Sequence, residues 1–307
     1  MSLETPSVPQ STSTPAKDVA PAAALPLWRK LLSFDNRYLA PILITCILAV
    51  GQIFYGFLIS YWFTMLAIVT SILMELVLGR LLTGKWPHLA SAYISGISIG
   101  IIVRSEVLWP FLVCSALSIV SKYAFRVRGR HLWNPSNLGI SVLLLLADEY
   151  VYPLSFQAGN DIWPMFIIWI LGSLILYRLG RLHITASYAA AFAALGLVRS
   201  LITGSSWLTA VTPITGPVYQ LFIFFMITDP KTTTKRFWSQ CAVAVLVAVV
   251  ETGLRLCDRI DAPYHLLKIL AIHAPYFALF MVAPVTNLIE IWWDARHPRS
   301  TAVLKPA

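Results

Sequence analysis

Long apolar segments alternate with short polar ones along most of this chain. An apolar helix needs about 20 residues to cross the ~30 Å hydrocarbon core of a bilayer, and ten segments are candidates. They are residues 38–59, 61–79, 90–103, 107–125 and 135–147 in the first half, and 163–179, 186–202, 214–228, 240–256 and 269–290 in the second. The third, fifth and eighth are short or interrupted by Gly, Pro or polar residues. The pattern predicts an all-α polytopic membrane protein with about ten transmembrane helices.

The composition excludes a water-soluble protein. Hydrophobic residues make up 58% of the chain and charged residues 12%, which is about half the charged fraction of soluble domains. Residues 1–26 differ, because they are rich in Ser, Thr, Pro and Ala and have few large apolar side chains to bury. We therefore predict a disordered cytoplasmic tail and juxtamembrane segment over residues 1–34.

Lysine and arginine are concentrated in alternate loops between the predicted helices. Clusters at 80–85, 126–130, 178–181 and 231–236 all fall on the side that also holds both termini. Since cytoplasmic loops are enriched in these residues, we predict cytoplasmic termini, an outer loop at residues 148–162 and a place in the bacterial inner (cell) membrane. The net charge of +9 is explained by these loops and their attraction to anionic lipid head groups, so it predicts no nucleic-acid partner.

The ten segments divide into two sets of five, and an odd number of spans inverts the second set across the membrane. Two features recur in both sets: a four-residue spacing of charges, and a proline near the start of the last segment. They are Lys122, Arg126 and Arg130 against Glu251, Arg255 and Arg259, and Asn134-Pro135 against Ala274-Pro275. We predict two inverted five-helix repeats, at residues 35–150 and 151–292, followed by a cytoplasmic tail at residues 293–307.

The stretch SKYAFRVRGRHLWNPSNLGIS, residues 121–141, places a basic cluster directly before a predicted helix start. Asn134 is a favoured N-cap, and Pro135 suits the first helical turn. The free amides of such a start attract polar or anionic groups, while Asn137 offers donors and an acceptor and Trp133 offers a flat face. This set suits a planar ligand with carbonyl and imide groups, such as a flavin. The alternative is a capped helix end with an interfacial tryptophan.

A second polar group follows the eighth segment, in FFMITDPKTTTKR from Phe224 to Arg236. Asp229 at the membrane edge is costly unless it is paired or faces a cavity. It can cap the following segment, accept a hydrogen bond from a ligand N–H, or pair with Lys231. The alternative is a helix stop followed by a turn, which Asp-Pro encodes well.

Other ionisable residues lie within or near the predicted spans. Glu75 and Glu251 are inside spans, so each is a candidate for an ion pair, a proton site or a structural polar contact. His131 and His183 fall on the inner face and can in principle bind a metal or haem, although a hydrogen-bonded side chain is the commoner role. The four cysteines, at positions 46, 114, 241 and 257, have no spacing typical of a metal or haem site, and we predict no metal centre.

Five segments together resemble the RnfD/NqrB family of membrane flavoprotein subunits, and in particular its UnbU-like branch. They are SAYISGISIGIIV, SKYAFRVRGRHLWNPSNLGI, GSLILYRLGRLHIT, FFMITDPKTTT and APYFALFMVAPVTNLIE, spread over nearly all of residues 35–291. The second resembles the Lys-containing segment that leads to the family's Asn-Pro-Phe-Asn-Pro motif, with His131 at the first Asn and Asn134 at the second. The fourth is similar to the family's Ala-Thr-Asp-Pro signature through Thr228 and Asp229.

The resemblance implies two inverted five-helix repeats, shared with urea-channel-like proteins, and electron transfer through flavins within a multi-subunit membrane oxidoreductase. It implies that the chain is a redox subunit and not an enzyme on its own, with further redox subunits in the membrane or in solution as partners. In the family, riboflavin or a similar flavin lies among the helices near the Asn-Pro motif, and a second flavin, FMN, is esterified through its phosphate to a threonine of the outer loop. The two polar stretches and the resemblance together indicate seven candidate cofactor-binding residues. They are Asn134, Asn137, Trp133, His131, Lys122, Thr228 and Asp229.

The outer loop of this chain departs from the family pattern. It reads ADEYVYPLSFQAGNDIW, has no threonine and offers Ser155 as its one aliphatic hydroxyl. We therefore expect at most one flavin, riboflavin or FMN, bound without a covalent bond on the cytoplasmic side. The other hypothesis is a cofactor-free channel or transporter for a small solute, built on the same inverted repeat.

Overall fold

The computed structural model of this protein describes residues 36–55, 60–153, 162–257 and 265–297. Its longer helices are α1 (Asn36–Tyr55), α2 (Tyr61–Thr83), α3 (Ala90–Ile102), α4 (Trp109–Ala124), α5 (Pro135–Leu146), α6 (Ile162–Arg178), α7 (Leu182–Thr203), α10 (Phe237–Cys257) and α12 (Ala274–Arg296). Shorter helices are α8 (Trp207–Val211), α9 (Pro217–Leu221) and α11 (His265–Ile272). Because most of the described chain is helical, the all-α class is confirmed. The predicted tail at residues 1–34, Ser155 and Arg259 lie outside the described residues.

Several helices have the length and composition of membrane spans. Four of the described helices are long and apolar enough to cross a bilayer, namely α2, α7, α10 and α12. A fifth crossing results if the helical pieces Trp207–Thr215 and Tyr219–Met226, which are bent by 73°, are counted together. Five further apolar helical stretches of the described chain have 10–17 residues each. The chain is thus a helical membrane protein by composition, whereas the number of ten spans stays a prediction.

The third predicted span is short, as its sequence indicates. Helix α3 has 13 residues, which at ~1.5 Å per residue is less than the thickness of the hydrocarbon core. It packs very closely on α2, because a Cβ added at Gly96 would lie 2.6 Å from the Cα of Ile68. A Cβ at Gly100 would lie 2.5 Å from Cγ2 of Thr64. Small residues at these two positions therefore permit the predicted close approach of the helices.

The predicted span at 214–228 is short and interrupted, as its sequence indicates. Helix α8 ends at Val211, and the chain then forms a 3₁₀ turn at Thr212–Thr215, helix α9 and a π-helix at Phe222–Met226. Pro213 has no amide hydrogen, so it cannot continue the hydrogen-bond pattern of α8. In the π-helix the amide of Ile227 donates to the carbonyl of Phe222 at 3.2 Å. Such π turns are frequent at functional sites.

The predicted span at 269–290 is also divided. Helix α11 ends at Ile272, and α12 begins at Ala274 with Pro275 in its first turn. Proline is tolerated in a first turn, where the amide has no helical partner, but it breaks a helix interior. Helix α12 then continues to Arg296, beyond the predicted end of the second repeat at residue 292.

The basic cluster after α4 is not helical. The strands β2 (Arg126–Val127) and β3 (Arg130–His131) pair as an antiparallel hairpin. Its two turn residues, Arg128 and Gly129, both have positive φ angles, 48° and 80°, as a tight hairpin turn requires. The four-residue spacing that begins at Lys122 therefore does not lie along one helix face, and it does not support the predicted repeat.

A second strand pair fixes which helix ends lie together. Strand β1 (Val103–Arg104) follows α3, strand β4 (Tyr152–Pro153) follows α5, and the two strands are paired antiparallel. The C-terminal ends of α3 and α5 therefore share one end of the bundle. Their N-terminal ends, with the hairpin of β2 and β3, lie at the opposite end, and the candidate site is built there.

Candidate functional site

A cavity of about 710 Å³ lies where the N-terminal ends of α3 and α5 meet the C-terminal end of α6 and the π-helix. Its size falls within the ~300–1,000 Å³ range of small-molecule sites. The apolar part of its wall includes Ile94, Ile175, Leu176, Phe224, Phe225 and Met226. The remaining wall is polar and contains most of the residues that the sequence indicates.

Five of the seven predicted cofactor-binding residues line this cavity: Lys122, His131, Asn134, Thr228 and Asp229. They come from α4, from the hairpin, from the start of α5 and from the turn after the π-helix. Residues from both predicted halves of the chain are thus brought to one cavity. The other two, Trp133 and Asn137, are not part of its wall.

Asn134 is the N-cap of α5, as predicted. Its Oδ1 accepts a hydrogen bond from the amide of Asn137 at 3.2 Å, and its Nδ2 donates to Oδ2 of Asp229 at 3.3 Å. Asp229 also caps the turn that follows it. Its Oδ1 accepts from the backbone amide of Lys231 at 3.1 Å, and its Oδ2 accepts from the hydroxyl of Thr232 at 3.0 Å. The capping alternative for Asp229 is therefore confirmed. The hydrogen bond from Asn134 to Asp229 joins the two polar segments.

Lys122 brings a buried positive charge to the cavity. Its side chain is 5% exposed, and Nζ donates to Oε2 of Glu75 at 3.0 Å and to the hydroxyl of Ser91 at 2.8 Å. The hydroxyl of Tyr123 donates to the other oxygen of Glu75 at 3.2 Å. For Glu75 the ion-pair alternative is confirmed. An ammonium has three donors, so one remains for a molecule in the cavity.

His131 also brings an unused polar atom to the cavity wall. Its Nδ1 is buried and has no hydrogen-bond partner among the described residues. Burial lowers the pKa of His131, and the positive charge of Lys231 lowers it further, while Asp229 raises it in part. The imidazole is therefore neutral at pH 7, with one nitrogen as donor and the other as acceptor.

Thr228 is held by the backbone of the π-helix. Its hydroxyl donates to the carbonyl of Phe224, and its own carbonyl accepts from the guanidinium of Arg181 at 3.5 Å. Burial lowers the pKa of Arg181, and the nearby charge of Asp229 partly raises it. These contacts fix the backbone that presents Asp229 to Asn134.

Trp133 and Asn137 are used in packing α5 and the preceding loop against α12. The indole N–H of Trp133 donates to the carbonyl of Phe280 at 2.8 Å, and its ring packs against Phe125 and Phe280 with centroids 5.2 and 5.8 Å away. Asn137 is fully buried, and its Nδ2 donates to the carbonyl of Tyr276 at 3.0 Å. The flat face expected from Trp133 is therefore not turned to the cavity.

Other lining residues were missed by the sequence reasoning. Ser91, Ser95 and Ser98 of α3 all line the cavity, and their spacing of four and three residues puts them on one face of the helix. That spacing was readable in SAYISGISIG. The aromatic wall comes from Phe224 and Phe225 of the π-helix, whose turn is wider than that of an α-helix and was not predictable from local pattern.

A second buried polar cluster surrounds Glu251 of α10. The carboxylate is fully buried and accepts hydrogen bonds from the hydroxyls of Tyr188 and Tyr219. It also pairs with Arg255 at 2.8 Å, which confirms the ion-pair alternative for Glu251. Arg199 lies nearby and donates to the hydroxyl of Thr252 at 2.9 Å. The carboxylate thus takes its three donors from the protein itself.

The remaining candidates have ordinary partners. Nε2 of His183 hydrogen-bonds Oε1 of Gln240 at 2.6 Å. The four cysteines are free thiols, and Cys114 is buried. Within the described ranges, no group of three His, Cys, Asp or Glu residues is placed to hold a metal ion.

No protein-family model matches this chain, and no curated protein matches it.

Proposed function

We propose that this protein is an integral-membrane flavin-binding redox subunit that moves electrons within or across the membrane as part of an RnfD/NqrB-like electron transport complex. The observation that supports this proposal is the cavity, because it gathers five polar residues from the two motifs of the resemblance. The proposal includes ten spans in two inverted five-helix repeats and cytoplasmic termini in the bacterial inner membrane.

The packing of the helices supports the repeat. Among the most extensive helix contacts are those of α2 with α4 and of α7 with α10. Further contacts join α4 with α5 and α10 with α12. In the predicted repeat these are the second span with the fourth, the seventh with the ninth, the fourth with the fifth and the ninth with the tenth. Two copies of one five-helix unit would share these pairs, whereas the extensive contact of α2 with α3 has only a small counterpart between α7 and the π-helix.

The residues of the cavity fit a flavin. The third donor of Lys122 and a ring nitrogen of His131 suit carbonyl oxygens, as does the amide of Ser136, which belongs to the first turn of α5. The carboxylate of Asp229 suits an imide N–H. Phe224 and Phe225 supply an aromatic wall for a planar ring system. The unpartnered Nδ1 of His131 is a buried polar atom for which a ligand would provide the missing hydrogen bond.

The chain's own residues would bind and orient the ligand. A bound flavin would supply the capacity to accept and donate electrons. Lys122 keeps a positive charge at the wall, held in place by Glu75 and Ser91, and a fixed charge in a partly dry site stabilises negative charge that develops beside it. The apolar wall limits the access of water, which strengthens these interactions.

The absorption spectrum of protein purified in mild detergent tests the proposal. We expect the blue-light bands of an oxidised flavin, or binding when riboflavin or FMN is added. After acid precipitation, flavin fluorescence should stay in the supernatant, since we expect no covalent bond. Fluorescence that stays with the polypeptide would overturn the non-covalent attachment. Colourless protein that binds neither riboflavin nor FMN would contradict the proposal and favour a transporter.

A cavity-filling pair of variants tests the location. Ser98→Phe places a large ring into the cavity and should abolish flavin binding while the protein still elutes as a single species. Ser187→Phe is the matched control, because Ser187 is also half-buried but lies on α7 outside the cavity. Equal flavin content in the two variants would place the ligand elsewhere.

A further inference from the structure

Helix α12 holds together the two polar segments of the cavity without lining it. Asn287 of α12 is 1% exposed, and its Nδ2 donates to the carbonyl of Leu132 at 3.1 Å and to that of Thr232 at 2.7 Å. Its Oδ1 accepts from the guanidinium of Arg130 at 3.2 Å. Leu132 and Arg130 belong to the hairpin segment, and Thr232 belongs to the turn after the π-helix. One amide side chain therefore bridges both segments.

Glu290 reinforces the same bridge. It lies three residues after Asn287, so both project from one face of α12. One of its carboxylate oxygens accepts from Arg130, and the other accepts from the backbone amide of Lys235 at 2.8 Å. Arg130 also donates to the carbonyl of Thr233 at 3.2 Å. The hairpin segment and the segment at residues 232–235 are thus tied to α12 and to each other.

A proline in α12 supplies a third attachment point. Pro284 lies inside the helix and has no amide hydrogen, so the carbonyl four residues earlier, that of Phe280, lacks its helical donor. The indole of Trp133 donates to this carbonyl at 2.8 Å. The residue directly before Asn134 is therefore anchored to the same helix.

We infer that Asn287 is a positioning residue for the cavity. Leu132, which it holds, directly follows His131, and Thr232 donates its hydroxyl to Asp229 at 3.0 Å. The direct contact between the two segments at the cavity wall is the bond from Asn134 to Asp229, which at 3.3 Å is long for a hydrogen bond. Without Asn287, this weak contact and the bonds that Arg130 makes to Thr233 and Glu290 would have to hold the two segments together. The part of the inference that concerns a flavin rests on the proposed function, whereas the bridge itself does not.

The test compares Asn287→Leu with Thr286→Val. The leucine removes all three hydrogen bonds of the Asn287 side chain, whereas the hydroxyl of Thr286 bonds within α12, to the carbonyls of Val282 and Ala283. In protein whose four native cysteines are replaced, spin labels are attached to cysteines introduced by Arg128→Cys and Lys231→Cys. Both positions are exposed. Pulsed electron resonance then measures the distance between the two segments without any ligand. Riboflavin affinity and the thermal midpoint are measured on the same variants without labels.

We expect Asn287→Leu to lengthen and broaden the distance distribution and to weaken riboflavin binding about tenfold or more, the effect of losing well-placed polar contacts. Thr286→Val should match the parent in both measurements. An unchanged distance distribution in Asn287→Leu would overturn the inference, whatever happens to the ligand. Altered distances with parent-like affinity would restrict Asn287 to a structural role and also overturn it. If Asn287→Leu alters the distances but the parent protein itself binds no riboflavin, the bridge is supported and the proposed function is refuted.

Discussion

The buried pair of Glu75 and Lys122 allows a quantitative test of what holds the cavity end of the bundle together. In Glu75→Gln, the ammonium of Lys122 stays buried without an opposite charge, and its partners are then neutral: the hydroxyl of Ser91 and the amide oxygen of the glutamine. Removing one member of a buried ion pair costs about 3–5 kcal/mol of unfolding free energy, because the other charge is left without compensation. We expect a loss of that size for Glu75→Gln and for Lys122→Met.

The double variant is the informative one. With both charges removed, no buried charge is left uncompensated, and neutral replacements of buried ion pairs are often as stable as the pair itself. The remaining cost is the hydrogen bond that Ser91 loses, about 1 kcal/mol. We therefore expect Glu75→Gln/Lys122→Met to be more stable than either single variant. The same protein should bind flavin more weakly than the parent, because it is folded but lacks the positive charge at the cavity wall.

An exposed ion pair is the control for this cycle. Arg236 and Asp294 are 3.6 Å apart, and their side chains are 43% and 39% exposed, so Asp294→Asn should cost less than about 1 kcal/mol. Denaturant unfolding in detergent, followed by tryptophan fluorescence, measures all four variants. If Glu75→Gln costs no more than Asp294→Asn, the argument from burial is refuted. A double variant as unstable as the sum of the singles would show that the two residues do not act as a pair.

Three further predictions concern the site, the topology and the packing. Asn134→Leu should lose the ligand and about 1 kcal/mol of stability, because the helix cap is lost. Asn134→Ser keeps a cap and should lose only ligand affinity. Full flavin content in Asn134→Leu would show that Asn134 is a cap and does not bind the ligand. In intact cells, a membrane-impermeant thiol reagent should label a cysteine at Glu149 and not one at Arg128, in a cysteine-free background; the reverse pattern would contradict cytoplasmic termini. Gly96→Val should prevent folding, since its Cβ would meet the backbone of Ile68 at 2.6 Å, and normal yields after detergent extraction would show that α2 and α3 are not in close contact.

The structural features that depend on residues close together in the sequence, such as helices and their start points, could be predicted. Apolar runs predicted the helices, because backbone polar groups in a membrane must be satisfied within a helix. Asn134 with Pro135 predicted the start of α5, since capping uses atoms three residues apart. The eighth span was predicted to be short or interrupted, but the sequence did not show that the chain at 222–226 becomes a π-helix or that the predicted tenth span divides into α11 and α12 at His273.

The tertiary structure decides which residues line the cavity. Asn134 meets Asp229, 95 residues away, and Asn287 meets Leu132, 155 residues away. Trp133 and Asn137 have the same polar atoms that a ligand would use, yet they donate to the carbonyls of Phe280 and Tyr276. A polar side chain satisfies whichever buried partner the packing brings within about 3 Å. The sequence specifies which groups need partners, but the distance between those partners is set by how the helices pack.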